Sequence, residues 1–186
     1  MQISPELIGI AAVVAVLLWL VAAFNKLVVQ RTRVKNAWAE IDVQLKRRHD
    51  LIPNLVEAAR GYMQHERSTL EAVTQARTQA LAAGNNLQAR IGAESLLTAA
   101  LGKFFAVAEN YPQLRAVESV QLLQEQLTST ENRIAYARQF YNDEVMNYNA
   151  AQSTFPRNLF AGLFGFSPST MFAAADADRA NVQVKV

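Results

Sequence analysis

A chain of 186 residues with a formal net charge of +2 is too mildly and too evenly basic to be organised around nucleic acid. The absence of cysteine excludes a disulfide framework, a thiolate metal site and a cysteine nucleophile. With 51% hydrophobic residues the composition stands at the apolar edge of ordinary soluble proteins, so some apolar stretch must sit apart from the folded domain.

That stretch is Leu7 to Phe24, LIGIAAVVAVLLWLVAAF, which contains no charged or strongly polar side chain. As a helix it rises about 27 Å, close to the roughly 30 Å of a bilayer's hydrocarbon core. The competing reading is a cleaved signal peptide, with Val21-Ala22-Ala23 as the small residues of a cleavage site. A signal peptide begins with a positive region, whereas here only Gln2, Ser4 and Glu6 precede the apolar run and the positive charge follows it. A retained anchor is expected. Lys26, Arg31, Arg33 and Lys35 form a basic cluster for the membrane surface, so the positive-inside rule predicts a cytoplasmic bulk and an N-terminus outside.

Between Phe24 and Asp50 there is neither glycine nor proline, so the anchor is expected to run straight into the next helix. Trp38, Ile41, Leu45, Ile52, Leu55, Ala59 and Met63 recur at three- and four-residue steps and define one apolar face. The run Lys46-Arg47-Arg48-His49-Asp50 interrupts that face, and consecutive polar residues on a helix must send at least one of their number inward. Pro53 has two readings. Either Asp50 caps a new helix with the proline in its first turn, or one helix continues with a kink and the carbonyl of His49 loses its partner. The second is favoured, since a full reversal at Asp50 would drive a returning helix of about 45 Å into the bilayer.

The apolar pattern resumes through Leu70, Val73, Arg77 and Leu81 and stops at Gly84-Asn85-Asn86, a helix end and a turn. Leu87 to Asn110 reads as a shorter, largely buried helix closed by Tyr111-Pro112. The last long helix runs from near Leu114 to about Thr154. Its heptad row is Val120, Leu127, Ile134, Tyr141 and Tyr148, with Leu123, Thr130 and Ala137 at the intervening steps.

The segments RVKNAWAEIDVQLKRRHDLIPNLVEAARGYMQHE, ENRIAYARQFYNDEVMNYN and FPRNLFAGLFGF, in this order after an apolar anchor, closely resemble the LemA family of bacterial membrane proteins. The resemblance covers nearly the whole chain. It implies a single-pass inner-membrane protein with a cytoplasmic antiparallel helical bundle, and it brings no established catalytic residues. It also implies an association with membrane proteolysis or envelope stress, which is context and not mechanism.

Candidate chemistry is sparse. His49 and His65 lack the spacing of a zinc-protease helix, and Glu57, Glu66 and Glu71 fit a solvated face better than a di-iron bundle. No catalytic residue, metal site, cofactor or small-molecule substrate is expected. The polar groups of interest are Arg48, His49, Asp50 and Asn54 on one helix and Glu131, Asn132 and Arg133 on another. Each block interrupts an apolar stripe, and buried polar groups must find one another. The C-terminal part crowds Phe160, Phe164, Phe166 and Phe172 among glycines and a proline. It reads either as a flap that completes the core or as an exposed patch for self-association or for a bilayer interface. The flap is the default; the case for an association patch is that Phe160 and Phe164 share a face while Phe166 points elsewhere, which would leave apolar surface for a neighbour. From Asp176 onward the chain turns polar and reads by default as a frayed tail, with an added strand at an oligomer contact as the less favoured reading of alternating Val182, Val184 and Val186.

The expected architecture is therefore all-α: a transmembrane helix continuing into an antiparallel bundle of three or four long helices. Residues 1–25 form the tail and anchor, 26–154 the cytoplasmic bundle, and 155–186 the Phe-rich flap and polar tail. The expected function is a scaffold or adaptor at the cytoplasmic face of the inner membrane, self-associating through heptad faces as a homo-oligomer. The alternative is a regulatory partner of a membrane protease or envelope-stress system, which would make another membrane protein its partner.

Overall fold

A computed structural model describes residues 5–84 and 86–172, so the alternating valines of the tail lie outside the described residues. Every regular element in it is a helix: α1 (Pro5–Arg60), α2 (Arg67–Ala82), α3 (Leu87–Ala108), α4 (Pro112–Arg115), α5 (Glu118–Ser153) and α6 (Asn158–Ala161). The all-α expectation holds, with a long apolar N-terminal helix followed by helices that pack together.

Helix α1 runs unbroken through Pro53. Proline removes the N–H that would bond the carbonyl four residues earlier, that of His49. The Arg77 side chain of α2 replaces it, donating from Nε to the His49 carbonyl over 2.7 Å. The proline thus turns a bond within one helix into a bond between two.

The reversal comes at Gly61–Glu66 and not at Pro53. Glycine costs a helix about 1 kcal/mol relative to alanine, which makes Gly61 a natural place to stop. Tyr62 and Met63 both donate their N–H to the Ala59 carbonyl as the helix closes. The apolar pattern hides this turn, because Met63 and Leu70 are seven residues apart and both are buried. The continuous pattern expected from Pro53 to Leu81 is therefore two helices.

By their contacts the residues form two compact units, to each of which α1 and α5 contribute a part. The second unit holds Glu40–Arg138 together with Phe172. Its core includes Ile52, Leu55, Met63, Val73, Leu97, Leu101, Phe104, Leu114 and Leu127. Helices α2 and α3 pack as a hairpin whose turn is made by Gly84 at φ 58°, a left-handed conformation open to glycine. Asn86 then caps α3 by accepting from the Ala89 N–H at 3.0 Å. Only one face of α3 is buried, since Leu96 is exposed. By length and composition α3 could also cross a membrane, but its inner face packs in this core and carries Glu94.

The first unit holds α1 up to Ala39 together with Gln139–Met171. Trp38 meets Tyr141 edge-on at 5.4 Å between ring centres, and Arg31 lies near enough to act on Tyr148, so the two helices run antiparallel here. Burial raises the phenol pKa of both Tyr141 and Tyr148. The heptad row of α5 is buried throughout, from Val120 to Tyr148.

After α5 the chain turns back. The N–H of Gly165 bonds the Gly162 carbonyl and that of Phe166 bonds the Ala161 carbonyl, with Gly165 at φ 73°. This is a Schellman cap, and it aims Phe166 inward. The following strap is held on α5 by side chains. Asn149 exchanges two 2.9 Å hydrogen bonds with the backbone of Ser169, and the Tyr141 hydroxyl donates to the Thr170 carbonyl at 2.9 Å. In contrast, every side chain of α1 from Pro5 to Trp19 is exposed.

Candidate functional site

In the second unit, Arg48 occupies a slot of the apolar stripe between Leu45 and Ile52, and its side chain is 0% exposed. Desolvating a guanidinium is tolerable only against negative charge with its donors bonded. Arg48 donates from Nη2 to Glu94, and from Nη1 both to Glu131 at 2.5 Å and to the Thr98 hydroxyl at 3.0 Å. The planar fork thus ties α1 to α3 and α5, a geometry that a lysine ammonium would not reproduce. Arg48 Nε is buried without a hydrogen-bond partner.

Glu94 is likewise 0% exposed, and its Oε1 lies 3.0 Å from His49 Nε2. That contact closes as a hydrogen bond when the imidazole carries a proton on Nε2. Glu131 is 42% exposed and so keeps part of its hydration. With a neutral imidazole the group carries one positive and two negative charges. Nearby, Arg90 of α3 pairs with Asp42 of α1 at 2.7 Å. Together with Arg48 to Thr98, this pair shows α1 and α3 running in the same direction, as alternating helices require.

Burial alone would raise the Glu94 pKa, but the hydrogen bond from His49 and the charge of Arg48 outweigh it and hold the carboxyl below its usual value. A folded-state pKa below the unfolded one contributes stability above the unfolded value and loses it as pH falls. The folded chain is therefore expected to lose stability on acidification from about pH 4.5, the ordinary value for this carboxyl. Thermal unfolding across that range should be less steeply acid-dependent in Glu94→Gln. An unchanged acid dependence would mean that Glu94 is not held ionised by these partners.

The two polar blocks divide. Arg48, His49 and Glu131 face the cluster, whereas Asp50, Asn54, Asn132 and Arg133 are exposed. Asp50 instead pairs along its own helix with Lys46 at 2.9 Å, and that bond lowers its pKa first of all. Outward-pointing groups keep their water, so these four have no need of one another. Glu94, Thr98 and Arg77 escaped the sequence reading. One signal was legible: Glu94 is the lone carboxylate on the row that continues with Leu97, Leu101 and Phe104, all on the buried face of α3. His65, the other histidine, is exposed. Among the described residues no group of three or more His, Asp or Glu side chains is placed to hold a metal. An open groove by Val56, Met63 and Leu70 has Arg60 and Arg67 on its rim, each paired with a neighbouring glutamate.

Phe160, Phe164 and Phe166 lie in the first unit and do not form one free patch. Phe166 is buried and stacks edge-on with Phe24 at 5.5 Å, so it is not available to a neighbour. Phe164 meets Phe24 at 5.4 Å and Phe160 meets Trp19 at 5.7 Å. The chain's own α1 covers much of what was expected to lie open. Phe172, in the second unit, is buried beneath the Arg138 guanidinium. Lys26, Arg31, Arg33 and Lys35 are all exposed on α1.

A family model described as the LemA family matches residues 37–186. The chain is similar to the magnetosome protein MamQ 2 of Paramagnetospirillum magneticum, 25% identical over 89% of this chain and 70% of that protein. It is 23% identical to the magnetosome protein MamQ of Magnetospirillum gryphiswaldense, over 86% of this chain and 68% of the relative. Protein LemA of Metamycoplasma hominis is also 23% identical, over 85% of this chain and 72% of its own length. None of these names denotes an enzyme.

Proposed function

Because the chain belongs to the LemA family, we propose that it is a membrane-anchored scaffold or adaptor at the cytoplasmic face of the inner membrane, without catalytic activity. The observation that carries this reading is the continuity of α1. A bare apolar stretch, an exposed basic cluster and residues of the second unit's core all belong to one continuous helix. Such a helix couples whatever binds the folded part to the bilayer. The basic cluster after the span favours an N-terminus outside and a bulk inside. The lipid bilayer is the first partner, and a second copy of the chain is the next.

Self-association in this reading uses outward faces, where Val43 on α1 and Tyr136 on α5 are exposed, because the heptad row of α5 is spent within the chain. Crosslinking and native mass analysis of detergent-extracted protein should give a homomeric ladder. A monomer with no co-purifying protein would overturn the scaffold. Protease added to intact spheroplasts should leave the folded part whole, and digestion from outside would reverse the orientation.

A further inference from the structure

The apolar side chains left uncovered in the first unit lie beside the bare stretch of α1, and their position along it limits what can cover them. Phe164 and Phe166 touch Phe24, at the end of the apolar run, while Phe160 touches Trp19. At 1.5 Å per residue, Trp19 lies about 7 Å further into the run than Phe24. The segment therefore climbs alongside the span.

Its outer face is apolar. Leu159 and Leu163, four residues apart, are 66% and 85% exposed, and Phe155 before the helix is 73% exposed. No charged side chain occurs from Asn158 to Thr170. Much of its backbone is bonded internally: the N–H groups of Asn158, Leu159, Phe160, Ala161, Phe164, Gly165 and Phe166 donate to carbonyls between Thr154 and Gly162. Internal bonding of this kind lowers the cost of placing a backbone in hydrocarbon.

We infer that residues 158–166 form a second membrane contact, a short wedge built on α6 in the leaflet adjoining the basic cluster. Leu159 and Leu163 reach the acyl chains, and Phe160 and Phe164 pack against α1. The occupant is lipid because the exposed row continues the exposed apolar surface of α1 at the same level. The wedge gives the first unit a second footing, so that α1 cannot turn freely about its own axis. This inference rests on the reading that α1 crosses a bilayer.

The full chain contains no cysteine, so single labels can be placed cleanly. A nitroxide on Leu163→Cys, in vesicles of phosphatidylcholine and phosphatidylglycerol, is compared with labels on Val14→Cys in the span and Glu125→Cys on the exposed side of α5. Leu163 is largely exposed, so its label should not disturb the fold. The expected result at Leu163 is access to oxygen with several-fold protection from a water-soluble nickel chelate, as at Val14. Chelate access equal to that at Glu125 would overturn the wedge while leaving the anchor intact. Protection from both reagents with spin–spin broadening would replace lipid by a second copy of the chain. Chelate access at Val14 would remove the anchor, and the wedge with it.

Discussion

Arg48→Leu is expected to lower the unfolding free energy by about 3–5 kcal/mol, the usual loss when one partner of a buried ion pair is removed. Glu94, fully buried, would keep only His49 beside it, while Glu131 can turn to water. For a chain of this size the loss corresponds to a midpoint roughly 6–20 °C lower, measured by circular dichroism in mild detergent. His49, still 3.0 Å from Glu94, pulls the result towards the lower end. Adding Glu94→Leu should recover most of the loss, because removing both buried charges also removes their desolvation. Arg48→Lys should remain destabilised, since one ammonium cannot serve Glu94, Glu131 and Thr98 with the geometry of the fork. A loss below about 1 kcal/mol for Arg48→Leu would refute the burial of the pair, because that is the range of surface ion pairs.

Arg77→Ala is expected to cost about 1–3 kcal/mol, and the cost should depend on Pro53. The reason is the His49 carbonyl, which Pro53 cannot serve and which Arg77 bonds at 2.7 Å. In a Pro53→Ala background the new N–H can take that carbonyl, so removing Arg77 should cost much less. A double-mutant cycle should then show a coupling of about 1 kcal/mol, whereas additivity within about 0.5 kcal/mol would mean that the carbonyl does not depend on Arg77. Pro53→Ala alone tests the same idea from the other side. It should change stability little while Arg77 is present, because one acceptor is already satisfied.

Much of the architecture was legible in short-range features. The apolar run from Leu7 to Phe24 is a matter of length and polarity, and the heptad row from Val120 to Tyr148 is a matter of period. The turn at Gly84 and Asn86 combines a left-handed residue with a capping side chain a few positions away. The turn at Gly61 was not legible. A helix penalty of about 1 kcal/mol is a weak signal, and the apolar repeat from Met63 to Leu70 runs straight across the break. The Phe-rich segment showed its apolar character in sequence but not its cover, which is supplied by Trp19 and Phe24 more than a hundred positions earlier.

By itself, then, the sequence determined that this protein is a set of long helices, the first of them continuous with an apolar N-terminal stretch, and that polar side chains interrupt its buried faces. Only the tertiary structure decided which of them turn inward. Successive residues on a helix project about 100° apart, so the rotation of α1 about its axis, set by packing, selects Arg48 and His49 over Asp50. It also decided the partners. Glu94 lies 46 residues from Arg48 and Glu131 lies 83, and no local pattern ties such positions together. What joins them is the cost of leaving a buried charge unpaired, a cost that arises only once the helices have excluded water.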